Sequence, residues 1–306
     1  MKAARIHRFG PPEVIAIDDL PAPTPLPHEV LVRVRAAGVG PWDALIREGK
    51  SVVNAPLPLI LGSDLSGVVE AAGSASSPFQ PGDEIYGVTN AQFIGAYAEL
   101  ALASVDRIAR KPETLSFLDA ASAPVVAVTA LQMLFDYAKA QAGQSVLIHG
   151  AGGNVGAYAV QLAHQAKLQV FATAAAGDAQ YVTKLGAATV IDYRKTRFEQ
   201  AVPPVDIVLD LVGGDTRERS YQIVKPGGVL VSVVSPAVPD ASKHVRSLFF
   251  LVDVTTERLN RISEKFNSGQ LVTHVGTVLP LEQARTAHEM LAGAPHQPGK
   301  IVLQTR

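Results

Sequence analysis

Two patterns of hydrophobic and polar positions divide the chain. Over the first ~120 residues apolar positions fall in short β-branched runs, cut by proline and glycine turns. Val30-Leu31-Val32-Arg33-Val34-Arg35 and Gly67-Val68-Val69-Glu70 are two of these runs, and Pro81-Gly82-Asp83-Glu84 is a turn before Ile85. Pro21, Pro23, Pro25 and Pro27 read as a rigid connector between strands. Residues 118–138 are alanine-rich and helix-prone. From Ser145 onward, apolar runs of strand length alternate with stretches of helical period. Strands are predicted at 145–148, 169–173, 189–191, 205–209 and 228–233, and helices at 156–166, 179–185 and 216–223. Strands alternating with helices imply a parallel sheet with right-handed crossovers. A further helix is predicted at 255–267. The final run from Lys300 to Gln304 reads as a strand that could return to the first domain.

Composition narrows the class. With 306 residues, 47% of them hydrophobic and 18% charged, the chain can bury a sizeable core in two domains. A net charge of −1 gives no footprint for nucleic acid or an anionic membrane. The longest apolar stretch, residues 120–135, is interrupted by Pro124, Thr129 and Gln132 and falls short of the ~20 residues of a span. The first residues lack the apolar core of a signal peptide, so a cytoplasmic protein is expected. The sequence has no cysteine, which excludes disulfides, thiolate zinc sites, iron–sulfur clusters and a cysteine nucleophile. The eight histidines are scattered and form no metal-ligand pattern, so no metal is expected.

The strongest local chemistry lies after the strand at 145–148. Gly150, Gly152, Gly153 and Gly156 let the backbone turn tightly and approach a ligand, and the following helix aims its N–H groups back at the turn. The spacing is G-x-x-G-x-x-G, because Val155 stands where the strict dinucleotide fingerprint has its last glycine. Strand before and helix after supply the required context, so a dinucleotide is expected, with Asn154 and Val155 presenting N–H groups to its pyrophosphate. Residues 171–177, at the end of the second strand, contain no acid to hold a ribose hydroxyl, the first being Asp178. Small residues there, Thr173 among them, leave room for a 2′-phosphate. Tyr193, Arg194 and Lys195 offer donors and positive charge, unless the two cations are simply solvated loop residues. NADPH is therefore expected over NADH.

Taken together, these motifs resemble the medium-chain dehydrogenase/reductase superfamily over the whole length and in order. The resemblance is carried by Met1-Lys2-Ala3-Ala4-Arg5, Gly10-Pro11-Pro12-Glu13-Val14, Val30 through Asp43, and Leu61-Gly62-Ser63-Asp64-Leu65-Ser66-Gly67. It continues through Pro81 to Gly87, Gly95-Ala96-Tyr97-Ala98-Glu99-Leu100 and Leu211-Val212-Gly213-Gly214. It implies a GroES-like, partly open β-barrel domain (1–120 and 271–306), into which a doubly wound Rossmann NADP domain (121–270) is inserted. It also implies a substrate cleft between the domains and a homodimer. Zinc-dependent members place a Cys and a His in two turns where this chain has the Gly40-Pro41-Trp42 stretch and Ser63. The resemblance is thus to the zinc-independent branch, the quinone oxidoreductases and enoyl reductases, which pass hydride from NADPH to a quinone or an α,β-unsaturated carbonyl. Such acceptors are already electrophiles. Orientation and a donor for the developing oxyanion suffice, and no metal is needed. Two departures stand out: Gly40 replaces the Asn usual before Pro41, and residues 47–54 show no tyrosine acid of the enoyl-thioester type.

Individual positions carry alternatives. Trp42 either stacks on a flat acceptor or plugs the core. Asp43 and Arg47, four apart, either line the substrate pocket or pair with each other on a helix. Thr129 matches the family's nicotinamide-side threonine, or bonds its own helix. Val212 and Gly213 follow the fourth strand and Ser232 the fifth, at the carboxyl edge where α/β sheets bind ligands. Phe249 and Phe250 wall the nicotinamide or belong to the core. Lys300 is a late cofactor contact by resemblance. Tyr97 is a conceivable acid, but the catalytic proton donor is left unassigned. A non-catalytic NADPH-binding sensor is the alternative to a reductase.

Overall fold

The computed structural model describes residues 1–52, 55–236 and 245–305. They form two compact units, one of Met1–Val125 with Asp253–Arg306 and one of Val126–Val252.

The second unit is built on six parallel strands. In chain order they are Ser145–Ile148, Gln169–Ala174, Thr189–Asp192, Val205–Asp210, Val224–Ser232 and Arg246–Phe249. Their order across the sheet is third, second, first, fourth, fifth, sixth, the doubly wound arrangement of dinucleotide-binding folds. Strands covered on both faces must be apolar throughout, and Val146, Leu147, Ile148, Val208, Leu209, Leu230 and Val231 have essentially no exposure. Order reverses beside the first strand, so the carboxyl ends of the first, second and fourth strands border one crevice.

Five of these strands match the sequence expectations to within a few residues. The sixth was missed because Arg246–Phe249 is only four residues long and shows no alternation. The helix-prone stretch 118–138 is three pieces rather than one: Phe117–Ala121, capped by Ser116, then Pro124–Leu131, then a π-helical turn at Gln132–Tyr137. Pro124 opens the second piece, since proline is tolerated only where no helical N–H is required.

The first unit is GroES-like. Its larger sheet runs Val275–Pro280, Lys300–Gln304, Glu29–Val39, Asp64–Ala72, Glu84–Val88, Ile108–Arg110, with Leu100–Ser104 also paired to Glu29–Val39. A smaller sheet joins Ile15–Asp19, Lys2–Ile6 and Leu59–Ile60. The C-terminal strand does return here, antiparallel to Glu29–Val39 with Ile301 opposite Val39. The helix Thr256–Asn267 also belongs to this unit, whereas the sequence placed it in the 121–270 domain. Thr256 Oγ1 donates to Ile108 O at 2.6 Å, and Tyr86 Oη donates to Leu259 O at 2.7 Å. The helix's own amphipathic pattern carries no trace of these partners.

Candidate functional site

The glycine turn is the centre of the second unit. After Ile148 the chain passes through Gly150, at φ +69°, into the helix Asn154–Gln165. Ala151 N donates to Thr173 O and Gly153 N to Gly150 O, each at 3.0 Å. A Cβ on Gly156 would lie 2.3 Å from Gly150 O and 2.7 Å from Ala151 Cα. Only a glycine there lets the helix press directly on the turn. Gly153 is the N-cap and no side chain caps this end. The first-turn N–H groups at Asn154, Val155 and Gly156 therefore stand at the positive end of the helix without an intrahelical acceptor. A pyrophosphate fits this cradle. Gly152 is walled by Asp178, whose Oδ2 would sit 2.9 Å from a Cβ at that position.

A cavity of about 630 Å³ opens beside the turn, bordered by His149, Gly150, Thr173, Val212, Arg219 and the loop from Tyr193 to Arg197. Its cations differ in what they already hold. Arg219 bonds both Glu199 oxygens (3.0 and 2.8 Å) and Asp215 (2.7 Å), and Arg197 bonds Glu199 at 2.6 Å. Arg194 lies 5.6 Å from the Tyr193 ring, and among the described residues neither Arg194 nor Lys195 is paired with a carboxylate. Two exposed positive charges are therefore available to an anion at this edge.

Two buried residues that sequence reasoning passed over order the crevice. Asp210, at the end of the fourth strand, accepts from Val212 N (3.1 Å) and Gly213 N (2.7 Å) through Oδ1, and from Ser232 Oγ (2.7 Å) through Oδ2. It thereby fixes the loop that leaves Val212 half-exposed at the cavity wall. His149 is fully buried between Thr173 Oγ1 (3.1 Å) and Ser220 Oγ (2.9 Å), and burial pushes its pKa down to about 4. The readable signal for each was a polar residue directly after three apolar strand residues, Ile207-Val208-Leu209 and Val146-Leu147-Ile148. Thr129 is buried in the helix Pro124–Leu131. Phe250 is buried in a stack on Tyr137, ring centroids 4.1 Å apart, so one of its faces is taken.

The first unit gathers the remaining candidates. The helix Pro41–Arg47 begins at Gly40, whose N–H donates to Asp43 Oδ2 at 2.8 Å, and Tyr97 Oη donates to the same oxygen at 2.9 Å. Asp43 Oδ1 has no partner among the described residues. Burial pushes the Asp43 pKa up to about 7, and the same burial raises Tyr97, with Asp43 adding to it. The i,i+4 ion pair expected between Asp43 and Arg47 does not form. Asp43, in the first turn, folds back onto the helix start. Arg47, in the last turn, reaches Gly10 O at 3.0 Å, His288 Nδ1 at 2.9 Å and the Glu48 carboxylate. His288 is pushed down to about 3 by burial and then by Arg47. Trp42 Nε1 donates to Ser63 Oγ at 3.0 Å. Lys300 Nζ sits 4.4 Å from the centre of the Trp42 ring and donates to Asp64 Oδ2 at 3.1 Å. Both members of that ion pair are buried, and Asp64 Oδ1 also accepts from Val125 N at 3.0 Å. Lys300, expected as a cofactor contact, thus has its charge committed within its own unit.

Residues 26–113 match the alcohol dehydrogenase GroES-like domain, and residues 185–303 match a family described as zinc-binding dehydrogenase. The chain is 31% identical to the quinone oxidoreductase of Mus musculus over 324 residues, covering 99% of this chain and 97% of that protein. It belongs to the medium-chain dehydrogenase/reductase superfamily. A 2-methylene-furan-3-one reductase of Solanum lycopersicum is 31% identical across 89% of this chain and 70% of that protein. The solved quinone oxidoreductase from Coxiella burnetii superposes with a TM-score of 0.91 at 36% identity, over 100% of this chain and 99% of that one. As a member of this superfamily the protein is an oxidoreductase dependent on a nicotinamide cofactor, with the Rossmann and GroES-like units described above. The family description mentions zinc, yet this sequence supplies no thiolate. Among the described residues no group of three or more His, Asp or Glu side chains is placed to hold a metal ion.

Proposed function

We propose that the protein is an NADPH-dependent reductase that passes hydride to a quinone or an α,β-unsaturated carbonyl without a metal. The observation that carries the reading is the pair of turns where zinc relatives bind metal. Here Gly40 starts a helix and Ser63 accepts from Trp42, beside the Asp64–Lys300 ion pair. Neither turn offers a metal the donor set it needs. An acceptor that is already electrophilic needs none.

The cofactor supplies the hydride. The chain supplies its grip. First-turn N–H groups at Asn154, Val155 and Gly156 receive the pyrophosphate, while Asp210 holds the Val212–Gly213 loop against the crevice. Tyr193, Arg194 and Lys195 receive a 2′-phosphate, for which an uncommitted cation is the requirement. Trp42, half-buried with Lys300 over its ring, is the flat side chain assigned to the acceptor pocket. A homodimeric cytoplasmic protein is part of the same reading.

One observation favours NADH instead: the Asp178 carboxylate lies against Gly152, near enough to the turn to repel a phosphate or hold a ribose hydroxyl. Calorimetric titration with both cofactors separates the two. Tighter NADPH binding supports the Arg194–Lys195 reading, and tighter NADH binding overturns it. Oxidation of neither cofactor in the presence of quinones, enones or enoyl thioesters would leave a binding protein.

A further inference from the structure

The hydrogen bonds around His149 fix their own direction. Ser220 Oγ lies 2.7 Å from Thr216 O, and a carbonyl oxygen only accepts, so the Ser220 proton is spent there. Ser220 must then accept from His149 Nε2, 2.9 Å away. The imidazole is neutral, its pKa lowered to about 4 by burial, and so carries one proton, which is now assigned to Nε2. Nδ1 is left as an acceptor, and Thr173 Oγ1, at 3.1 Å, must donate to it. The Thr173 hydroxyl proton is therefore committed inward. Its oxygen receives one long contact from Gly150 N, at 3.4 Å, which leaves one lone pair unused, and Thr173 borders the cavity.

From this we infer that Thr173 meets the bound dinucleotide as a hydrogen-bond acceptor only, taking a proton from a hydroxyl of the adenosine ribose, with His149 as the positioning residue that enforces this polarity. The inference rests on the dinucleotide reading above and deepens it. The cavity acquires two chemically distinct sides. Arg194 and Lys195 favour an anion, and Thr173 excludes one, because an acceptor facing a phosphate oxygen repels it. A 2′-phosphorylated ribose fits such a wall with its phosphate toward the cations and its free 3′-hydroxyl toward Thr173. Asp178, a carboxylate lying against Gly152, also disfavours an anion near the turn, whereas the helix N–H groups donate and favour one.

The test uses the whole protein and fragments of the cofactor, so it does not depend on turnover. Calorimetry with ADP-ribose, ADP and 3′-deoxy-ADP is run on wild type, Thr173→Val, Thr173→Ser, His149→Gln and His149→Asn, with melting curves to establish folding. Asn puts an amide near the Nδ1 position and can still accept from Thr173. Gln reaches only toward Ser220. ADP-ribose is expected to bind about tenfold weaker to T173V and about fivefold weaker to H149Q, but within about threefold of wild type for T173S and H149N. Wild type is expected to prefer ADP over 3′-deoxy-ADP, and T173V to lose that preference. In steady state, H149Q should raise the KM for NADPH and leave kcat unchanged. Equal losses in H149N and H149Q, no loss in T173V, equal binding of ADP and 3′-deoxy-ADP by wild type, or no binding of ADP-ribose would each overturn the inference. Normal fragment binding without turnover would instead sink the reductase reading and leave this one standing.

Discussion

Replacing Gly156 by alanine is the sharpest perturbation of the cofactor cradle. The new Cβ would sit 2.3 Å from Gly150 O, 2.7 Å from Ala151 Cα and 2.9 Å from Gly150 C. Ordinary contact begins at 3.4 Å, so helix and turn must part by about 1.1 Å, and all three obstacles are backbone with no rotamer to yield. Overpacking of this kind costs about 1–3 kcal/mol. If the displacement falls on the N–H groups that receive the pyrophosphate, the same energy corresponds to about 5- to 150-fold weaker binding. Gly177→Ala is the matched control for stability alone, because residue 177 belongs to the stretch that leaves room for a 2′-phosphate. Nothing lies within 4 Å of its Cβ and its backbone is not left-handed, so it should be neutral or stabilising by up to about 1 kcal/mol. Thermal melting of both variants and calorimetric NADPH titration of G156A against wild type make the comparison. G156A with wild-type affinity and wild-type melting temperature would refute the close approach of helix and turn, and with it the cradle.

Three further outcomes follow from the charges. Arg194→Ala and Lys195→Ala should each weaken NADPH binding by about 3- to 10-fold, the modest range of an exposed cation, and leave NADH binding unchanged; equal effects on both cofactors would remove them from 2′-phosphate recognition. Lys300→Met leaves the buried Asp64 carboxylate without its cation and should destabilise the protein by about 3–5 kcal/mol in urea unfolding, whereas an unchanged midpoint would mean that the pair carries no stability. Asp43 has its pKa raised by burial from 3.8 to about 7, so the folded state binds its proton more tightly than the unfolded chain does. Its contribution is therefore fully present below pH 3.8 and is lost as pH rises to about 7. Asp43→Asn should lack that slope, and the stability of wild type relative to D43N should fall between pH 5 and 7 and level off above; a flat difference would contradict the shift.

The second unit was legible in the sequence because its strands are buried on both faces. Val146-Leu147-Ile148 and Ile207-Val208-Leu209 announce themselves as apolar runs, and the glycine turn lies between a strand and a helix as its chemistry requires. What escaped was set by tertiary partners. Helix Thr256–Asn267 joins the first unit through Tyr86 and Ile108, far away in the chain. Asp43 and Arg47 have the spacing of an ion pair, yet each finds a better partner, Tyr97 and the Gly40 N–H for one, Gly10 O and His288 for the other. His149 was one histidine among eight; its place after Val146-Leu147-Ile148 put it at a strand end, but its partners Thr173 and Ser220 are distant in the chain. Composition alone shows that the chain cannot supply a cysteine thiolate to a metal.

The account turns on metal-free hydride transfer from NADPH, and one assay addresses it directly. Oxidation of NADPH is followed with quinone, enone and enoyl-thioester acceptors, before and after exhaustive treatment with a zinc chelator. At least one quinone or enone should be reduced, with NADPH preferred to NADH and the rate unchanged by the chelator. No oxidation with any acceptor, or activity abolished by the chelator and restored by zinc, would contradict it.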